Sequence, residues 1–295
     1  MAPVYLFLMI LSCTADSSVC MWISNMKRLL YIAIAAIFIA CGVDDIPYDN
    51  PLDPVNPDYE APSTVITNPL QGITYGEHSL VAEWQGNKEG MTYRTKLDDN
   101  NWSHQLGDET WYPYEFMPLE YLDEGTHAFL VQGRYVSGDL EPQPDSVAFT
   151  IDAVTGPALR IYRMYNTAAV NDQLALEIYA EEVSSIAGAE ITINFDPSKV
   201  RVDGWEIGPF METAGENPLA FTEINNTSGE TTLDIGVMGV FPDDVSGTGI
   251  IASLDITLLS VGETQLTFDN QTTLRYDDNA AVSNVELVRT IILVE

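Results

Sequence analysis

Carboxylates are the one abundant reactive side chain in this sequence. It holds 44 Asp plus Glu against 12 Lys plus Arg, with only 3 His and 3 Cys in 295 residues. His78, His104 and His127 never fall at the i, i+4 spacing that puts two imidazoles on one helix face for a metal. Cys13, Cys20 and Cys41 all precede residue 42, so the body of the chain has no thiolate ligand, no Cys nucleophile and no disulfide framework. Acid catalysis on sugars needs two carboxylates facing across a cleft. The adjacent pairs Asp243-Asp244 and Asp277-Asp278 instead sit in turn-like sequence, where Asp serves local backbone bonding. There is no G-x-S-x-G, P-loop or zinc motif, and "DDNNWS" lacks the Gly and distal Glu of a calcium loop. The expectation is a protein that is not an enzyme, with no catalytic residues, no metal and no cofactor.

Charge narrows the partners. A formal net charge of −32 and a pI near 4.1 repel phosphate backbones and anionic lipid, so nucleic acid is not expected as a partner. Basic or cationic partners are attracted.

The N-terminal region reads as a targeting device. Lys27 and Arg28 precede the apolar run Leu29 to Ala40, which is too short to cross a bilayer but suits a signal-peptide core. The run ends in Phe38-Ile39-Ala40-Cys41-Gly42. That ending resembles the lipobox of bacterial lipoproteins, with Phe38 where Leu is usual, and it marks Cys41 as the lipidation site. Residues 1–25 carry a second apolar stretch without a basic residue, so translation is expected to start at Met26, with 26–40 as the signal. Residues 41–63 have Pro47, Pro51, Pro54, Pro57 and Pro62 among acids, the composition of an extended tether. At about 3.1 Å per residue such a tether spans roughly 60 Å. The expectation is an exported lipoprotein held by its N-terminal lipid, in the outer membrane or at the cell surface.

Beyond the tether the pattern is all-β, in two domains of sandwich type. Residues 64–153 contain "HSLVAEWQG", alternating around Leu80, Ala82 and Trp84, and further strands separated by Gly/Pro/Asp turns. Gly125-Thr126-His127, Arg134-Tyr135, Ser137-Gly138-Asp139 and Phe149-Thr150-Ile151-Asp152 fall where fibronectin type III and immunoglobulin-like modules carry their strands and turns. The segment resembles those modules. "WYPYEF", with Trp111, Tyr112, Tyr114 and Phe116, is either an aromatic sugar platform or a loop folded onto the core. A hinge, "VTGP" at 154–157, leads into the second domain, 158–295, read as strand after strand with no capped helical period.

In "IAGAEITINFDPSKVRV" period-two alternation sends Ala189, Ile191, Ile193 and Phe195 inward and Gly188, Glu190, Thr192 and Asn194 outward. Pro197 has no N–H to extend the ladder, so the strand stops before it. This stretch resembles the third strand of cohesin domains, which ends in Tyr-Asp-Pro; here Phe195 replaces the Tyr, and Asp196 and Pro197 are kept. "NDQLALEIYAEEVSSIAG" and "GTGIIASLDITLLSVGETQLTF" resemble the flanking cohesin segments, and the likeness covers residues 158–295. It implies a jelly-roll sandwich that binds the calcium-loaded dockerin module of another protein on the exposed side of the sheet holding the third strand. Carried over by position, the contact residues are Gly188, Glu190, Thr192 and Asn194. Glu190 keeps an acid usual in the family, whereas Gly188 stands where a short amide is usual. "TTLDIGVMG" adds Thr232, Asp234, Gly236 and Met238 outward with Leu233, Ile235 and Val237 inward, and the late strand adds Ile251, Ser253, Asp255 and Thr257. Displaying dockerin-bearing, polysaccharide-degrading proteins is the implied role; a carbohydrate-binding or adhesion module is the runner-up, with polysaccharide as the second candidate partner.

If Cys41 is the lipidated residue, mass spectrometry of the mature protein finds an acylated N-terminus at Cys41. An unmodified N-terminus, or one upstream of Cys41, contradicts the reading.

Overall fold

A computed structural model of the protein describes residues 50–102, 111–214, 218–237 and 245–295. Cys41, the signal segment, His104 and Met238 lie outside the described residues. The chain divides into two compact units, 1–60 and 61–295.

In the first unit, residues 50–60 are not extended as their composition suggests. "NPLDPVNPD" is an Asx-Pro triplet written three times. Asn50, Asp53 and Asn56 each use the side-chain oxygen to accept the N–H two residues on, from Leu52, Val55 and Asp58 at 2.9–3.0 Å. Backbone bonds from Asp53, Asn56 and Tyr59 back to Asn50, Asp53 and Asn56 close successive turns. Local Asx bonding competes with the extended form that proline alone favours.

The second unit contains four sheets and no α-helix among its described residues. Seven strands come first: β1 (Thr64–Asn68), β2 (Thr74–Tyr75), β3 (Leu80–Gly86), β4 (Thr92–Leu97), β5 (Phe116–Leu119), β6 (Gly125–Arg134) and β7 (Asp145–Ile151). They form sheets β1-β3-β5 and β2-β7-β6-β4. Ala82 and Trp84 are buried as the alternation predicts, and Trp84 packs with Tyr93 and Phe129 at ring-centroid distances of 5.9 and 6.1 Å. Buried Glu141 ties β1 to β6 by accepting the Thr64 and Gly133 N–H groups at 2.7 and 2.8 Å.

Twelve strands follow: β8 (Ala158–Tyr162), β9 (Tyr165–Ala168), β10 (Gln173–Ile186), β11 (Gly188–Asn194), β12 (Val200–Ile207), β13 (Leu219–Asn225), β14 (Glu230–Gly236), β15 (Val245–Leu258), β16 (Gly262–Phe268), β17 (Thr273–Arg275), β18 (Glu286–Val288) and β19 (Thr290–Val294). One sheet runs β12-β15-β10-β8-β18; the other runs β13-β14-β11-β16-β19-β9, with β17 also on β11. One apolar core collects their inner faces, with Ile191, Ile193, Leu233, Leu254 and Ile256 fully buried. The chain passes from the first sheet to the second where β10 gives way to β11. The end of β10 is bulged against β15, with Glu182 and Ser185 at positive φ of 47° and 55°. Bulges bend a strand and so let it turn a sandwich corner.

The 154–157 segment is fastened on both sides. Glu124 accepts the Ala153 and Val154 N–H groups, and Glu182 accepts that of Gly156. Nearby, Asp123 accepts the Met164 N–H at 2.8 Å and Tyr121 stacks on Tyr165 with centroids 5.3 Å apart.

His127 secures the Asp123 loop. Its Nδ1 lies 2.8 Å from the Asp98 carboxylate and its Nε2 lies 2.7 Å from the Asp123 carbonyl. Both partners accept, so both ring nitrogens carry protons when both bonds form. Burial alone lowers the pKa, but the bonds to Asp98 and Asp123 and their charges outweigh it, and the pKa is raised above 6.5. The Asp98 carboxyl, opposed by its own burial, is lowered by the same bond. A raised folded-state pKa gives stability that is complete below the unfolded value and lost as pH rises through the folded value. Thermal midpoints should therefore fall as pH rises above 6.5, and His127→Gln should flatten that fall. An unchanged pH slope in the variant contradicts this account.

Candidate functional site

The outer face of the β13-β14-β11-β17 region is built by register. β11 pairs antiparallel with β14, placing Gly188 opposite Gly236, Glu190 opposite Asp234 and Thr192 opposite Thr232. On the far side of β14, β13 sets Leu219 opposite Gly236 and Phe221 opposite Asp234. On the far side of β11, β17 sets Arg275 opposite Gly188 and Thr273 opposite Glu190. Two rows result across the strands: Phe221, Asp234, Glu190, Thr273, and Leu219, Gly236, Gly188, Arg275.

Inward alternation holds as expected: Ala189, Ile191, Ile193, Phe195, Leu233 and Ile235 are buried. β11 ends at Asn194, and the Asp196 carboxylate then accepts the Ser198 N–H to start the turn toward β12. The expected contact residues divide. Gly188, Glu190 and Asp234 come together with Gly236. Thr232 follows on the next row, where it bonds Thr192 at 3.2 Å. Thr192 faces outward by register but is only 6% exposed; its hydroxyl bonds that of Thr232, and the Thr272 hydroxyl bonds its backbone N–H and C=O. Asn194 donates to Asp269 at 3.1 Å and lines a separate cleft with Glu263, Gln265 and Thr267.

The late strand is a correction. Ile251, Ser253, Asp255 and Thr257 were expected on this face, but β15 is a central strand of the opposite sheet, between β12 and β10. They do not even form one set. Ile178 pairs with Ala252 and Tyr179 with Ile250, so Ile251 is the extra residue of a bulge and is fully buried. A bulge inverts the alternation that the sequence pattern assumes.

Four residues of the face were missed: Leu219, Phe221, Arg275 and Tyr276. Leu219 and Phe221 are 48% and 63% exposed on edge strand β13, while Ala220 between them packs on the core. Alternation in "LAFTEIN" shows that Leu219 and Phe221 share a face, but large apolar residues read as the buried side, which is the wrong one here. With Tyr276 they border a shallow cleft of about 370 Å³ floored by Gly188 and Gly236. A Cβ on Gly188 would sit 2.9 Å from the Ile235 carbonyl oxygen, so the floor admits no side chain there without displacement.

Charge at the cleft is uneven. Arg275 Nη2 lies 3.2 Å from Glu190 Oε2, both side chains partly exposed. No ion pair joins Asp234 to a cation among the described residues. Its pKa is raised, first by burial and then by the neighbouring Glu190 charge, with Arg275 working the other way. The arrangement offers apolar surface, a flat floor and an exposed carboxylate that makes no ion pair among the described residues. This suits adhesion to a protein surface.

The aromatic cluster of the first sandwich does not form a single platform. Guanidinium groups of Arg134 and Arg94 cover Trp111 at 4.3 and 5.1 Å, and Tyr112 bridges to Tyr93. Tyr114 and Phe116 remain exposed.

Comparison with known proteins falls on the second sandwich. Residues 165–294 match the family model described as Cohesin domain. Among solved structures, the third cohesin of ScaC from Acetivibrio cellulolyticus, in complex with the ScaB dockerin, is 21% identical; the match covers 46% of this chain and 98% of that one, with a TM-score of 0.40. The OlpA cohesin of Clostridium thermocellum, in complex with Doc918, is 12% identical over 47% of this chain and 99% of that one, with a TM-score of 0.39. A non-cellulosomal cohesin from the archaeon Archaeoglobus fulgidus is 12% identical over 47% and 91%, with a TM-score of 0.38. No curated protein matches.

If Glu190 raises the Asp234 pKa by like charge, Glu190→Gln lowers it, the more so because Arg275 is then freed toward Asp234. Carboxyl NMR titration reads the shift directly. An Asp234 pKa that stays put or rises contradicts the charge map.

Proposed function

We propose that the cohesin domain at residues 165–294 is a non-catalytic receptor that docks a dockerin-type module of another protein on the outer face of β13, β14, β11 and β17. The single observation that carries this reading is the coincidence of the family match with a face that exposes Leu219, Phe221 and Tyr276 around paired glycines and two carboxylates. Exposed apolar groups rimmed by polar ones are the anatomy of a protein contact. In this proposal Cys41 carries the lipid, the first sandwich is a spacer, and the receptor is held at the surface of a bacterial membrane. The cargo suited to such a receptor is a polysaccharide-degrading protein. The −32 charge of the chain favours a partner with a basic docking surface.

Binding of a panel of calcium-loaded dockerin modules to the full chain tests the reading, with chelator as control. Glu190→Lys together with Asp234→Lys should weaken capture while far-UV circular dichroism is unchanged, since both side chains point away from the core. The loss should be about 2–5 kcal/mol if the contact is desolvated, and under about 1 kcal/mol and salt-sensitive if it lies on a rim. Parental affinity in the double variant would contradict the choice of face. Chelator-insensitive binding would contradict the choice of partner.

A further inference from the structure

The two sandwiches, which belong to one compact unit, meet at the loop 121–124 between β5 and β6. Three side chains of this loop grip the second sandwich or the connection to it. Tyr121 stacks on Tyr165. The Asp123 carboxylate accepts the Met164 N–H at 2.8 Å. The Glu124 carboxylate accepts the Ala153 and Val154 N–H groups at 3.0 Å.

Two histidines hold the same loop from within the first sandwich. His78 Nδ1 lies 2.8 Å from the Leu122 carbonyl, a single bond that the neutral ring supplies. His127 is different. It is buried between the Asp98 carboxylate and the Asp123 carbonyl, with the Phe149 ring centred 5.6 Å away. Two acceptors need two N–H groups, so only the imidazolium makes both bonds. Without its second proton the ring turns a lone pair to one of them. Either the ring leaves Asp98 or the Asp123 backbone leaves the ring, and the loop loses its anchor.

The surrounding charges leave His127 as the group that titrates near neutral pH. Arg163 acts on Asp98 and Asp123, Arg160 on Asp123 and Glu124, and His78 on Glu124 at 3.6 Å. The arginines stay charged throughout and attract the loop at every pH. Asp98, lowered by its bond to His127, stays ionised above pH 6.5. Burial raises the Asp123 and Glu124 carboxyls, so they too bind a proton more readily with the joint closed. The His127 pKa is raised above 6.5, so its grip is complete below 6.5 and lost as pH rises through the raised value.

We infer that the joint between the sandwiches is a proton-operated device: protonated His127 anchors loop 121–124 and locks the two sandwiches in one orientation, and loss of that proton frees them to move about the 154–157 connection. The inference is independent of what the outer face of the second sandwich binds.

Cα–Hα residual dipolar couplings of the full chain between about pH 6 and 9 test it, with the His127 ring titrated in the same samples. At the acid end one alignment tensor should fit the strands of both sandwiches. At the alkaline end each sandwich should still fit a tensor of its own, but with different magnitudes. The midpoint of that change should match the His127 ring titration. His127→Gln should remove the pH dependence. Asp98→Asn, a residue suited to the positive φ at that position, removes the charge that favours the imidazolium and should move the midpoint to lower pH. One shared tensor at every pH overturns the inference. So does a pH dependence that survives His127→Gln, a midpoint that Asp98→Asn leaves in place, or couplings that no longer fit within either sandwich at the alkaline end. If His127→Gln does not fold, the Asp98→Asn midpoint decides.

Discussion

The register of β11 sets the geometry of the whole face. Ile191 and Ile193 must lie in the core shared by the two sheets of the second sandwich, where both are fully buried. Burying each contributes about 1.5–3 kcal/mol. Because side chains alternate strictly, a slip of one residue would turn both isoleucines to solvent and bring Glu190 into the core. With that register held, Glu190 meets Asp234, Gly188 meets Gly236, and β13 and β17 extend the two rows on either side.

Of the three strands paired with β11, β14 and β17 serve the face, in different ways. β14 carries a second acid and the second glycine. β17, only three residues long, delivers Arg275 to Glu190, and its charge also acts on Asp234. Edge strand β13 presents Leu219 and Phe221 outward with small Ala220 inward. On a chain so acidic, apolar exposure concentrated beside exposed carboxylates gives a contact both adhesion and charge selectivity. The rest of the negative surface steers basic partners from a distance and is weakened by salt.

Much of this was legible in the sequence because it depends on local pattern. The alternation of "AEITINF" and "TTLDIG" correctly assigned Ile191, Ile193, Leu233 and Ile235 to the core, and the Asp-Pro after Phe195 marked the strand end. What escaped depends on pairing between distant strands. That β15 belongs to the other sheet, and that Ile251 occupies a bulge, follow from partners far along the chain. Leu219 and Phe221 escaped because outward apolar residues mimic a core set until the neighbour strand is known. The burial of Thr192 escaped because its hydrogen-bond partners, Thr232 and Thr272, are forty and eighty residues away. The Asx-Pro triplets of 50–58 were visible as letters, but proline content suggested extension where side-chain bonding makes turns.

Hydrogen–deuterium exchange on the full chain, with and without a saturating calcium-loaded dockerin module, tests the central claim most directly. The account predicts slowed exchange confined to residues 188–194, 219–225, 230–236 and 273–276, with β8, β12 and β15 unchanged. Protection on the β12-β15-β10-β8 sheet, or in the first sandwich, with the β13-β14 edge unaltered, would contradict it.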